Sequence, residues 1–155
     1  ALETADAMNQ INPDFIRLRT LALPSGTPLT EQYEAGKFEK MGEVDVAREL
    51  LLFIESLQGI SSTVKSDHVL NLFQEVEGIL PNDKPKMTAP ITAFLELSPK
   101  EQMIFCIGRR THCLSRLDDL TNPLLRNHAL QACAEFGASV ETMDTVIDSI
   151  IKRFI

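Results

Sequence analysis

The chain has 155 residues, 44% hydrophobic, 24% charged and 6% aromatic, with 15 Lys plus Arg against 22 Asp plus Glu for a net charge of −7. That length and composition fit one soluble domain, and the acid excess argues against nucleic acid as a partner, since such binders present a basic face. No run approaches the roughly 18 apolar residues of a bilayer span, and no basic stretch precedes an apolar one at the start, so no membrane partner and a cytoplasmic location are expected.

The first residues, Ala1-Leu2-Glu3-Thr4-Ala5-Asp6, lack an initiator methionine and already read as an amphipathic helix, from which a fragment of a longer polypeptide is expected. Leu2, Ala5, Met8 and Ile11 form its apolar stripe, and Asn12-Pro13 ends it. Residues 15–23 read as a strand stopped by Pro24. Phe15, Arg17, Arg19 and Leu21 fall on one of its faces, and Ile16, Leu18, Thr20 and Ala22 on the other. Pro24-Ser25-Gly26-Thr27-Pro28 is turn chemistry, with Thr27 and Pro28 suited to cap and open a short helix to about Ala35.

Val44, Ala47, Leu50, Leu51, Ile54 and Leu57 follow helical spacing up to Gly59, and residues 60–66 then read as a second strand. Strand, crossover helix and strand favour parallel pairing in an α/β architecture. Two parallel strands cannot cover both of their own faces, so the missing upstream region or a second copy of the chain is expected as partner.

From Pro81 onward the pattern is helical. Asn82, Asp83 and Pro85 open a helix carrying Met87, Ile91, Phe94 and Leu95, which Pro90 should kink or split. Ser98-Pro99-Lys100-Glu101 is a capping box ahead of Met103, Ile104 and Ile107. A last helix opens at Asn122-Pro123 and is expected to run to the end through Leu125, Ala129, Cys133, Phe136, Val140, Met143, Ile147, Ile150 and Phe154, with Gly137 as its weak point.

In parallel α/β sheets ligands bind beyond the carboxyl ends of the strands, which directs attention to residues 20–30 and 66–74. Ser25, Gly26 and Thr27 could turn backbone N–H groups toward an anion, or simply form a turn and a cap. Ser66, Asp67, His68 and Asn71 make the densest polar cluster. Asp67 could tune His68 for proton transfer, or these residues could cap the chain locally. Arg17 and Arg19 could clamp a carboxylate or phosphate, or pair with acidic neighbours. Cys106, Cys113 and Cys133, odd in number and unevenly spaced, predict reduced thiols with no metal, and Arg109-Arg110 at a helix end predicts a solvated cap on the dipole. No phosphate-loop, dinucleotide, nucleophile-elbow or zinc-protease motif occurs.

Ile16-Arg17-Leu18-Arg19-Thr20-Leu21, followed by Pro24-Ser25-Gly26-Thr27-Pro28-Leu29, resembles the late barrel strand and loop of radical SAM enzymes. Ser66-Asp67-His68 through Asn71, then Glu77-Gly78 to Leu80-Pro81-Asn82-Asp83-Lys84, is similar to the next stretch in one branch of that superfamily. The match spans roughly residues 10 to 120, and nothing is matched beyond Asn122. Pro90 falls inside a helix of the relatives.

The resemblance implies a partial (β/α) barrel in which a [4Fe–4S] cluster reductively cleaves S-adenosylmethionine. The family's Cys-x3-Cys-x2-Cys loop is absent here, so the chain is expected to be the C-terminal portion, not catalytic alone. Residues 1–80 would be the end of a (β/α) barrel with two parallel strands, and residues 81–155 an α-helical C-terminal region. The fold class is then α/β, predominantly helical. Arg17, Arg19, Thr20, Ser25, Gly26, Thr27, Ser66, Asp67, His68 and Asn71 would lie near SAM or substrate. The competing readings are a stand-alone helical interaction module whose last helix binds a partner, and a small enzyme built on Asp67 and His68.

Overall fold

The structure, a computed structural model, describes residues 1–152. The expected helix position at Phe154 lies outside the described residues.

The first helix, α1 (Leu2–Ile11), ends where Asn12 adopts a left-handed backbone (φ +47°) and donates its N–H to the Met8 carbonyl at 2.8 Å. It leads into β1 (Phe15–Arg17), a turn, α2 (Pro28–Glu34) and α3 (Glu43–Ser56). The strands β2 (Thr63–Lys65) and β3 (Gly78–Ile79) follow, and then come α4 (Lys84–Leu95), α5 (Pro99–Arg110), a 3₁₀ turn (Leu117–Thr121), α6 (Pro123–Glu135) and α7 (Met143–Ile151). The described residues are thus mainly helical with one small mixed sheet. Asn9 docks α1 on the end of α3, donating to the Ser56 carbonyl at 2.9 Å and accepting from Gln58 N at 2.8 Å.

The sheet order is β1-β2-β3. β1 and β2 are parallel, as the strand-helix-strand order predicts, with Ile16 opposite Val64. Both strands are shorter than expected. Leu18 N still donates to Lys65 O at 2.8 Å, but the next backbone groups that a strand would offer a neighbour, Leu18 O and Thr20 N, bond to the Asn71 side chain instead. β2 stops because Ser66 turns inward and donates to the Phe73 carbonyl at 2.6 Å. β3, which the two-strand expectation omits, pairs antiparallel to β2, with Val64 opposite Gly78. Two residues are too few to carry a period of two, so this strand has no sequence signature. Lys65 and Glu77 pair across this edge at 3.0 Å.

Two helical expectations also change. α4 runs unbroken through Pro90, because Met87, Ile91 and Phe94 are all fully buried on one face and this packing outweighs one missing hydrogen bond. The expected last helix is two helices. Gly137, at φ +60°, ends α6 in a left-handed turn closed by Ala138 N to Cys133 O at 2.9 Å, and Ser139 and Thr142 bond each other before α7 starts.

One continuous core runs from Ala5 to Ile151, so both halves of the chain contribute to it. α5 is its axis, for residues 102–110 are buried without interruption. A methyl group on Gly108 would come within 2.6 Å of Leu114 Cδ1 and 3.0 Å of Ala129 Cβ, so a side chain there would push α6 away. Phe73, Phe94 and Phe105 join the 66–74 loop to α4 and α5, with ring centroids 5.4 to 6.0 Å apart. Phe94→Ala is expected to cost about 3–5 kcal/mol in urea unfolding. Leu124→Ala, at a side chain 64% exposed, should stay within about 0.5 kcal/mol. Equal losses would remove the aromatic trio from the centre of the core.

Candidate functional site

Beyond the carboxyl ends of β1 and β2 the chain forms two irregular segments, 18–23 and 66–74, whose backbone polar groups need partners other than a sheet. Asn71, buried, supplies the first set. Its Oδ1 accepts from Thr20 N at 3.0 Å and from Thr20 Oγ1 at 3.1 Å, and its Nδ2 donates to Leu18 O at 3.0 Å and Ser66 Oγ at 2.9 Å. Both donor hydrogens and both acceptor lone pairs of the amide are thereby used, which makes Asn71 a fixed cross-link between the two segments.

The second set comes from Arg109 and Arg110, and here the expected solvated cap is corrected. The two residues are only 7% and 4% exposed. Arg109 donates from Nε to Leu72 O at 2.9 Å, from Nη2 to Asn71 O at 3.1 Å and from Nη1 to Leu114 O at 3.0 Å. Arg110 donates to Leu70 O at 2.5 Å and forks onto the Glu43 carboxylate at 2.6 and 2.8 Å. Burial lowers the Arg109 pKa from its ordinary value, yet a guanidinium keeps its charge in proteins. The reason for the correction is demand: three consecutive carbonyls of the 70–72 loop face inward with no ladder to join.

Glu43 is the first residue of α3, and its N–H donates to Asp144 Oδ1 of α7 at 3.0 Å. A methyl group on Gly42 would meet Asp144 Oδ2 at 2.3 Å, so glycine at the cap position lets a carboxylate from α7 cap α3 in place of a local side chain. Lys40 pairs with Asp148 one turn further along α7. The 40–43 segment is therefore fastened to the C-terminal helix.

These supports border a cavity of about 380 Å³, open to solvent, at the strand ends. Of the residues singled out in the sequence, Arg19, Thr20, Ser66 and Asn71 border it. Leu18, Phe38, Met41, Val46, Leu50 and Phe73 make much of the rest of its wall. The other sequence candidates lie elsewhere. Arg17 and Asp67 pair with each other on the surface, and Arg17 holds the Asp67 carboxyl below the usual carboxylate range. His68 is half-buried, its Nδ1 accepting a long 3.4 Å bond from Leu70 N, and it forms no dyad with Asp67. Ser25 and Gly26 are exposed in a turn, and Thr27 caps α2 by accepting from Thr30 N at 3.3 Å. Ser25, Gly26 and Thr27 do not border the cavity.

The sequence reading missed Arg109 and Arg110 as buried anchors, Glu43 as the Arg110 counter-ion and Asp144 as a distant cap. The available signal was position: two arginines directly following the apolar run 103–108 on the same helix. The cysteines do not fit an iron–sulfur cluster. Cys106 and Cys133 are buried, burial pushes both thiols up, and among the described residues no three His, Cys, Asp or Glu side chains gather to hold a metal ion.

The fold and site thus define a mainly helical α/β protein with a cavity at the carboxyl ends of a parallel strand pair. The chain matches no protein-family model, no curated protein and no solved structure.

Glu43→Ala leaves the Arg110 charge buried and is expected to cost about 3–5 kcal/mol in urea unfolding, with Glu43→Ala/Arg110→Met losing less than the two single changes combined. Strict additivity would mean that the pair is not coupled. Because the folded Asp67 pKa is depressed, the Arg17–Asp67 contribution is complete above the ordinary carboxylate pKa and disappears as pH falls through the folded value. Carbon-detected NMR titration of the Asp67 carboxyl should move to higher pH in Arg17→Gln; an unmoved titration would assign the depression to another group.

Proposed function

We propose that this chain is the C-terminal region of a radical SAM enzyme, where it closes a (β/α) barrel at the end that receives SAM or substrate and is not catalytic alone. The observation that carries the reading is the arrangement at the strand ends. A parallel pair joined through α3 brings Arg19, Thr20, Ser66 and Asn71 to one cavity, the place where such sheets bind ligands. The outer edge of β1 supports it further, being unpaired among the described residues, with Phe15 65% exposed beside it. A preceding barrel strand would cover that edge.

The cluster that supplies reducing electrons in such an enzyme has no seat among the described cysteines and would belong to an upstream segment. This chain contributes a wall. Asn71 and Ser66 hold the strand ends, and the buried arginines keep that hold rigid. The competing interaction-module reading is less well supported, because α7 spends Met143, Ile147, Ile150 and Ile151 on the core rather than on a partner. Asp67, committed to Arg17, gives no support to an Asp67–His68 enzyme.

The intact mass of the native polypeptide in cell extract is expected to exceed this chain substantially, with a Cys-x3-Cys-x2-Cys segment upstream. That polypeptide, reconstituted with iron and sulfide under anaerobic reducing conditions, should release methionine from SAM. Asn71→Leu should slow that release by about tenfold to a hundredfold through misplacement of the cavity wall. A native chain of this length, or a full polypeptide that leaves SAM intact, would overturn the reading.

A further inference from the structure

We infer that the cavity accepts an apolar carboxylate, with Arg19 as its counter-ion. The inference rests on the barrel reading only for the walls that complete the cavity; the recognising groups are all in this chain. Its polar and charged lining separates into committed and uncommitted groups. Asn71 is saturated by Thr20, Ser66 and backbone, and Ser66 donates its hydroxyl to the Phe73 carbonyl and accepts from Asn71. Lys40 is paired with Asp148, and Glu43 with Arg110. Arg19 makes no hydrogen bond or ion pair among the described residues, in contrast to Arg17 two positions earlier, and only adds from a distance to the pull that holds the Asp67 carboxyl low.

The backbone that carries Arg19 is clamped on both sides, at Leu18 O and at Thr20 N, by one buried side chain. The backbone of that residue is itself held by the bond from Arg109 Nη2 to the Asn71 carbonyl. The backbone fixes where the exposed Arg19 side chain starts, and its planar guanidinium matches one carboxylate. Glu39, exposed, is the remaining charged lining group and is not paired with Arg19. Much of the remaining wall is aliphatic and aromatic, through Phe38, Met41, Val46 and Leu50. A strongly polar ligand would leave that wall unmatched, and an uncharged apolar one would leave Arg19 unmatched. An amphiphilic monoanion satisfies both.

The test is isothermal titration of the native full-length polypeptide, with no iron added, using decanoate, 1-decanol and acetate. Decanoate is expected to bind one to one, about tenfold more tightly than decanol, and acetate not measurably. Arg19→Gln should weaken decanoate about tenfold and bring it level with decanol, whereas Arg48→Gln, on the exposed face of α3, should leave it unchanged. Decanol binding as tightly as decanoate, equal losses in both arginine variants, or no decanoate binding would each overturn the inference. Failure is distinguishable from failure of the barrel reading. SAM cleavage without decanoate binding sinks this inference alone, and decanoate binding without SAM cleavage sinks only the barrel reading.

Discussion

Three backbone carbonyls, those of Leu70, Asn71 and Leu72, point into the protein where the sheet has already ended, and two neighbouring guanidiniums satisfy them. Buried carbonyls without partners cost free energy comparable to lost hydrogen bonds, so some donor had to be brought to this loop. Consecutive arginines at the end of α5 bring two planar forks at once, and Glu43 balances one of the two buried charges. The consequence spreads outward. Fixing the Asn71 carbonyl fixes its side chain, which fixes residues 18–20, while Glu43 fixes the start of α3. Polar networks of this kind are rigid when complete and costly when broken, since the same low dielectric strengthens both the bond and the penalty.

Local chemistry explains which elements were legible beforehand. Ser98, Thr27 and Asn122 each cap the helix they precede, accepting from backbone N–H groups within three residues, and those helix starts agree with the sequence. The spacing from Val44 to Leu57 likewise reads correctly, because a helix exposes its period within its own residues. The strands were over-extended for the opposite reason. What shortens β1 is Asn71, about fifty positions away, and no pattern within residues 15–23 can report a competitor at that distance. The break after α6 was half legible: Gly137 stood out as weak, but the apolar spacing continued across it.

The site divides along the same line. The strand-end rule selected residues 20–30 and 66–74, and of these Thr20, Ser66 and Asn71 border the cavity because the rule concerns topology, which the strand-helix-strand order carries. It was uninformative about Ser25, Gly26 and Thr27, whose residue types suit a plain turn equally well. The buried arginines defeated sequence reasoning because the helix dipole offers every cation at a helix end a local partner. Only the tertiary demand of three orphan carbonyls distinguishes Arg109 and Arg110 from a surface cap.

The open edge of β1 and the cavity are parts of one surface. A second groove, of about 500 Å³, follows that edge between α1 and α3, and it shares Leu18, Arg19, Val46 and Leu50 with the cavity. Anything that pairs with β1 and fills this groove therefore meets residues that also line the cavity. Closing the edge would remove water from around Arg19, and a guanidinium in a drier, lower-dielectric setting attracts an anion more strongly than an exposed one. Edge pairing and anion recognition are in this way coupled by shared residues, with Arg19 at their junction. Lys40, Glu43 and Arg17 are each in an ion pair, whereas Arg19 forms none among the described residues and feels Asp67 only from a distance.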